Sequence, residues 1–535
     1  MVKKKRGRMY DLPAAKKLSE LAQNPINLNE KKSLTCKRIE EMVCSSLGLK
    51  LLFATERVND EVMQGLFELA KERNVIEQME AMQSGEIINR IEGHESENRS
   101  VLHTAMRDFF ENQRTEAKAH DAAAAAFQEL EKLKRFLEGV NNQGVFTDII
   151  QVGIGGSELG PKAIYLALEA FKKEGRTVHF LSNVDPDDAT AILRKVDLAK
   201  TLVVVVSKSG TTLETRTNEE FIRQKLLEKG LSPKEHMIAV TGENSPMDDP
   251  SKYRASFYMW DYVGGRYSAS SMVGGVAIAF ALGMDKFLDF LRGMSAMDKA
   301  ALNPDFSQNL PLVGALLSIW NRNFLKHHTK AIIPYSRALS RFSAHLQQLS
   351  MESNGKQIDR LGQFIDFETG PIIWGEPGTN GQHSFYQLIH QGMTVVPIEF
   401  IGFKQSQFGQ DIEVEASNSQ EKLVSNLIAQ AIGLATGKED ENPNKVFKGN
   451  RPTRILAAKK CDAYTMGLIL SYYEHVTAFE GFIWNINSFD QEGVQLGKVL
   501  ANKVISIYAS RHKKEEGDPR SFPEASSYIN HFDSL

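Results

Sequence analysis

Several short segments of this chain gather side chains able to hold anions or move protons. Ser207-Lys208-Ser209-Gly210-Thr211-Thr212 follows the β-branched run Val203 to Val206. Four hydroxyls and an ammonium at the carboxyl end of a buried parallel strand are costly unless a polar ligand occupies the crevice. Thr211 and Glu214 have capping-box spacing, so helix capping accounts for Thr211 without a ligand. Ser207, Lys208, Ser209 and Thr212 are left as a set suited to phosphate. Gly153-Ile154-Gly155-Gly156-Ser157-Glu158-Leu159-Gly160 also follows a strand-like run and opens a helix. Its glycines, Gly156 beside Ser157 among them, let backbone amides approach an anion, although a tight turn alone explains them equally well. Glu158 stands where a GxGxxG fingerprint needs glycine, and no GxxxxGK[ST] P-loop occurs, so nucleotide-binding loops are excluded.

Arg266 lies in Asp261-Tyr262-Val263-Gly264-Gly265-Arg266-Tyr267-Ser268. Its charge is fixed at any working pH and suits an oxyanion that develops during reaction; a structural ion pair is the competing explanation. Glu352 closes a helical pattern through Leu339, Phe342, Leu346 and Leu349, ahead of the stop Asn354-Gly355. The negative end of the helix dipole works against an ionised carboxylate there, which favours a general base able to hold a proton near neutral pH. Most glutamates at helix ends are simply solvated. His383, in the Gly-rich turn Gly378 to His383, has the chemistry to exchange protons near pH 7. His390 is seven residues on, too far for an i,i+4 metal pair, and no HExxH occurs, so no metal is expected. In 481–498, a helix over Phe489 to Lys498 would put Gln491 and Lys498 on one face, where a solvated lysine is the ordinary explanation.

Elements must position these residues. Residues 1 to about 145 read as mostly helical, with Ala, Glu, Lys and Leu dominant as in Ala122 to Leu137, and no strand-like run stands out. From about 146, strand candidates alternate with helical stretches: Thr147–Val152, Thr177–Leu181, Thr201–Val206 and His236–Val240. A second series has Ala331–Ile333, Pro371–Trp374 and Thr394–Phe400, followed by a helix over about 417–436. Alternation of this kind predicts an α/β fold with two doubly wound parallel sheets covered by helices. The expected organisation is a helical region 1–145, α/β domains 146–300 and 301–510 linked near 285–310, and a C-terminal arm 511–535. Lys438 to Pro452 reads as an exposed loop.

Composition sets bounds. The chain of 535 residues is 42% hydrophobic and 24% charged, as folded globular proteins are. A net charge of -3 gives no general attraction for nucleic acid or anionic lipid, so anion binding must be local. The basic start (Lys3, Lys4, Lys5, Arg6, Arg8) has no apolar signal segment after it and reads as a solvated tail. Met272 to Met284, the longest apolar stretch, carries three glycines and is too short to span a bilayer. Three cysteines, none in a CxxC unit, favour a reducing compartment over a disulfide framework or structural zinc.

Taken in order, these segments resemble the phosphoglucose isomerase (glucose-6-phosphate isomerase) family through most of the chain. The resemblance rests on GIGGSELGP at 153–161, SKSGTT at 207–212, DYVGGRYSASSMVG at 261–274, MESNGK at 351–356, GTNGQHSFYQLIHQG at 378–392 and GFIWNINSFDQEGVQLGK at 481–498. Arg99 to Arg107 and Gly449-Asn450-Arg451-Pro452 add to it. It implies two sugar-isomerase (SIS) domains and a cytoplasmic homodimer whose active site is completed by the neighbouring subunit. By the same resemblance, Gly156, Ser157, Ser207, Lys208, Ser209 and Thr212 would hold a sugar phosphate. Lys498 and His383, the latter from the other subunit, would assist ring opening, and Gln491 would contact the sugar or its phosphate. Glu352 would move a proton between C1 and C2, and Arg266 would stabilise a cis-enediolate. This chemistry needs a base, a fixed positive charge and hydrogen-bond donors but no redox cofactor.

The phosphate loop reads SKSGTT where the family more often has SKTFTT or SKTGTT, and serine keeps the hydroxyl. The segment Ile91 to Asn98 is longer than usual and reads as a surface insertion. Two alternatives stand beside this reading. One is a non-catalytic sugar-phosphate-binding regulator, which would need the phosphate loops but not the base, arginine and lysine together. The other is an isomerase that also accepts mannose 6-phosphate.

Overall fold

The computed structural model describes residues 8–30, 32–110, 113–513 and 522–535. Lys3, Lys4, Lys5 and Arg6 of the basic start, and 514–521 of the expected arm, lie outside them. The chain divides into two units, residues 1–488 and 489–535.

In the first unit the lead-in is not purely helical. Helices Pro13–Leu21, Asp60–Glu72, Val75–Gln83 and Ala117–Gln143 are joined by a hairpin of β1 (Val43–Ser46) and β2 (Leu49–Leu52). Its turn puts Leu47 and Gly48 at φ 54° and 82°. Two-residue hairpin turns of this kind favour Asn-Gly or Asp-Gly, so Leu-Gly hides the signal. A smaller hairpin, β3 (Ile87–Asn89) and β4 (Arg99–Ser100), flanks the long segment 91–98. Residues 92–95 there are exposed, and the Glu92 amide donates to the Arg360 carbonyl at 2.8 Å.

The first sheet holds β5 (Asp148–Val152), β6 (Thr177–Leu181), β7 (Thr201–Ser207), β8 (Met237–Thr241) and β9 (Ala255–Tyr258), all parallel, in the order β6-β5-β7-β8-β9. Every residue of β7 is buried, which is why it reads as a continuous Val run rather than an alternation. Val203 and Val205 pack with Ile150, Met237 and with Ile222 and Leu226 of helix Leu213–Glu228. Each such side chain contributes about 1.5–3 kcal/mol on burial.

The second sheet holds β10 (Thr329–Pro334), β11 (Ile372–Trp374) and β12 (Ile398–Gln405). A short hairpin, β13 (Glu413–Val414) with β14 (Ser417–Asn418), precedes helix Ser419–Thr436, and β15 (Thr453–Lys460) completes the set. The order is β1-β2-β15-β12-β10-β11, parallel from β15 to β11 with the lead-in hairpin added antiparallel. The fold is thus α/β with two doubly wound parallel sheets. Helix Ser419–Thr436 begins with a full capping box between Asn418 and Glu421 and covers β10 and β12 through Leu427, Ala431 and Leu434.

Three element readings need correction. Strand β12 starts at Ile398 and not Thr394, because Pro397 has no N–H to give a ladder. β15 carries Arg454 and two lysines and so does not read as a strand. The buried Arg454 is neutralised by Glu399, with its Nη2 2.6 Å and its Nε 2.8 Å from Oε2. The stretch near 285–310, where a link is expected, is largely helical. It opens with helix Met284–Ala300, whose Phe287, Phe290, Leu291, Met294 and Met297 are buried. That helix meets helix Ala463–Trp484, buried from Met466 onward, backbone to backbone: a Cβ on Gly293 would fall 2.0 Å from the Tyr464 carbonyl oxygen.

The second unit contains a 3-10 turn at Glu492–Val494 and helices Gln495–Lys513 and Pro523–Asp533. Ile507 packs with Ala525 and Ile529 there. Gln491 precedes the turn, so the expected helix over Phe489 to Lys498, with Gln491 and Lys498 on one face, is not formed.

Candidate active site

In the first sheet the chain runs from β5 to β6 on one side and then crosses back to β7 on the other, so the direction of winding reverses at β5. Ligands of open α/β sheets bind outside the carboxyl ends of strands at such a switch point. The loops emerging there are 153–157 and 207–212. Gly156 is required by packing: a Cβ on it would lie 2.2 Å from the Gly265 carbonyl carbon. The two glycines thus bring the first loop against the turn Gly265–Tyr267, and Ser157 stands half-buried at the end of a 3-10 turn.

The loop after β7 is knitted by its own hydroxyls. Ser207 Oγ and Thr212 Oγ1 are 3.0 Å apart, and Ser209 Oγ accepts from the Thr211 amide at 3.2 Å and its hydroxyl at 2.9 Å. The helix begins at Leu213 with Thr212 in the cap position and no side-chain cap bond, so the Thr211–Glu214 capping box is not formed. Lys208 donates to the Val263 carbonyl at 3.3 Å and stands 3.8 Å from Asp261 Oδ1. Burial pulls the Lys208 ammonium below the usual lysine range, with Asp261 opposing and Arg99 adding to the shift. Asp261 is shared with Arg99, whose Nη1 lies 3.4 Å from the same oxygen.

Arg266 is 2% exposed and held on three sides. Its Nε donates to Ser353 Oγ at 2.6 Å, Nη1 to Glu352 Oε2 at 3.2 Å and Nη2 to the Ser488 carbonyl at 2.8 Å. Tyr267 OH is 3.0 Å from Ser353 Oγ, and its ring stacks on His103 with centroids 4.5 Å apart. Helix Phe342–Gln347 runs into a π-helical turn at Gln348–Glu352 and ends by Asn354. Such turns recur at functional sites because the extra residue re-aims side chains. The side chain of Glu352 keeps 23% exposure against 1% for Arg266, so a ligand can reach the carboxylate while the guanidinium stays anchored.

The site therefore joins Gly156, Ser157, Lys208, Arg266 and Glu352 through contacting segments. His383 ends the 3-10 turn Asn380–His383 beyond β11, is exposed, and its ring makes no hydrogen bond among the described residues. Gln491 and Lys498 belong to the second unit, where Lys498 is exposed on helix Gln495–Lys513.

Sequence reasoning missed Gln348, Ser353 and Ser488. Gln348 lies four residues before Glu352, a spacing that marks a shared helical face. A Cβ on Gly155 would come 3.3 Å from its Nε2, and its Oε1 is buried with no hydrogen-bond partner among the described residues. No signal in the sequence pointed to Ser353 or Ser488 as supports of Arg266. Among the described residues no group of three or more His, Cys, Asp or Glu stands together as a metal site. No helix among them is long and apolar enough to cross a membrane.

A family model for phosphoglucose isomerase matches residues 52–521. The chain is 54% identical to the glucose-6-phosphate isomerase of Protochlamydia amoebophila over 525 residues, covering 98% of this chain and 97% of that one. It is 51% identical to that of Chlamydia pneumoniae over 527 residues, covering 98% and 99%. The crystal structure of a glucose-6-phosphate isomerase from Chlamydia trachomatis superimposes with a TM-score of 0.94 at 48% identity, covering 99% of this chain and 100% of that one. With these matches running through the segments that build the site, the chain belongs to the phosphoglucose isomerase family.

Proposed function

We propose that this chain interconverts glucose 6-phosphate and fructose 6-phosphate. The observation that carries the reading is the buried Arg266 paired with the reachable carboxylate of Glu352, beside the loop that bears Lys208. Ser157, Ser207, Lys208, Ser209 and Thr212 hold the substrate phosphate, with Gly156 keeping the loop close. Gln348 and Gln491 offer amides to the sugar or its phosphate. Lys498 and His383 assist ring opening, His383 reaching the site of a second copy in a cytoplasmic homodimer. Glu352 then takes the C2 proton of the open-chain aldose. Charge spreads over O1, C1, C2 and O2 of the enediolate, facing Arg266; the hydroxyl proton passes from O2 to O1, and Glu352 delivers the proton it took to C1 to give the ketose. A guanidinium fixed beforehand stabilises that charge without reorganising during the reaction. Binding the phosphate, which does not react, supplies orientation.

The test is conversion of fructose 6-phosphate to glucose 6-phosphate, read by a coupled assay with EDTA present. Turnover that persists under chelation is expected. Activity that vanished with EDTA would point to a metal-dependent isomerase and overturn this mechanism, whereas sugar-phosphate binding without turnover would favour a regulator. Lys208→Ala is expected to raise KM about 10- to 100-fold with kcat little changed, since it removes a charge-assisted bond made in ground and transition states alike. Steady-state kinetics on both sugars check this, and an unchanged KM with a depressed kcat would contradict it.

A further inference from the structure

The two sheets are wound alike, and the second has a switch point of its own. β10 is flanked by β11 and β12 as β5 is flanked by β6 and β7. Outside the carboxyl ends of β10 and β12 lies a cleft of about 870 Å³, lined by Tyr335 to Ala338 and Ser340 after β10 and by Ser406 to Phe408 after β12. That volume is in the range of small-molecule sites. Arg337 projects from the first of these segments, is exposed, and its guanidinium has no hydrogen-bond or ion-pair partner among the described residues. The hydroxyls of Ser336 and Ser340 are half-buried beside it and donate no hydrogen bond among the described residues. Lys172 lines the cleft too, its ammonium 3.1 Å from the carboxylate of Glu169, which also faces the cleft and leaves the lining with a net positive charge. The apolar side chains of Leu166, Phe403 and Leu423 and the amides of Gln405 and Gln420 line it as well.

A guanidinium, an ammonium and two hydroxyls over an apolar floor suit a phosphomonoester on a short carbon skeleton. We propose that this cleft is a second phosphomonoester site, separate from Glu352 and Arg266, with Arg337, Ser336, Ser340 and Lys172 holding the phosphate. The likeness to the first switch point rests on the phosphate-holding role proposed for residues 207–212. The cleft itself and the unpartnered Arg337 do not depend on that role.

Equilibrium dialysis of the full chain with glycerol 3-phosphate tests the proposal. Two molecules bound per chain are expected, falling to one in Arg337→Ala and in Arg337→Glu, with isomerase kcat and KM unchanged in both. Second-site affinity should drop at least tenfold on loss of the guanidinium. Lys208→Ala should remove the other molecule and leave the one held by Arg337. A single molecule per chain in the parent protein, or a stoichiometry untouched by both Arg337 variants, overturns the second site, whether the cleft is empty or covered by another copy. Loss at Arg337 with no loss at Lys208 would support the second site and instead remove Lys208 from phosphate binding.

Discussion

Replacing Glu352 by glutamine is expected to lower kcat about 10²- to 10⁴-fold, the span that a positioned general base contributes, while KM changes little. Glutamine matches the shape of glutamate and keeps an oxygen able to accept from Arg266 Nη1, a contact of 3.2 Å in the parent chain. Ser353 Oγ and the Ser488 carbonyl continue to hold the guanidinium, so the substitution removes the base without disturbing the charge beside it. Steady-state kinetics in both directions, together with binding of a hexitol 6-phosphate that cannot react, separate the two effects. Retention of near-parental kcat would take the proton-transfer role away from Glu352. A large rise in KM or in the hexitol phosphate dissociation constant would instead make it a binding group.

The same contacts show where sequence reading reaches and where it stops. Glu352 is legible as a helix-end carboxylate because apolar spacing and Asn354-Gly355 locate the end of its helix. The loop 207–212 is legible because four buried valines must end somewhere, and polar residues follow at once. The supports of Arg266 are not, since Ser353 is 87 positions away and Ser488 is 222, and no local periodicity reports a contact across that distance. Gly156 is a partial success. The residue is marked by its lack of a side chain, but the neighbour that demands this is the Gly265 backbone, which the sequence does not reveal. The β1–β2 hairpin escapes notice because Leu47 takes a left-handed conformation that favours glycine or asparagine. β15 escapes because Arg454 offsets its charge against a glutamate in the next strand. For Arg266, Gly156 and β15 a tertiary partner supplies what the local sequence lacks.

The second large effect is expected from Arg107→Met, which should destabilise the fold by about 3–5 kcal/mol because it leaves carboxylates buried without their counter-charge. The side chain of Arg107 has no exposure, and its Nε and Nη2 reach Asp298 at 2.7 Å while Nη2 reaches Glu474 at 2.7 Å. Ser270, Ser471 and His475 complete the cluster, with His475 Nε2 2.7 Å from Asp298. One guanidinium between two carboxylates cannot stabilise both fully. Although burial opposes it, Arg107 holds Asp298 well below the usual carboxylate range. Burial pushes Glu474 up to about 7 from its ordinary 4.5, with Asp298 adding to the rise and Arg107 opposing it. The sign follows from proton counts. Below pH 4.5 the folded and unfolded chains both hold the Glu474 proton. Between 4.5 and 7 only the folded chain holds it, so stability falls as pH rises, by on the order of 3 kcal/mol, and the loss is complete above 7. Glu474→Gln keeps an acceptor for Arg107 and should flatten that stretch of the profile, whereas Asp298 acts only below about pH 4. Urea unfolding of the parent, Arg107→Met and Glu474→Gln chains across pH 4.5–8 checks both statements. A parent profile that stays level from 4.5 to 7, or an Arg107→Met chain as stable as the parent, would mean that water reaches this cluster and that its charges are not truly buried.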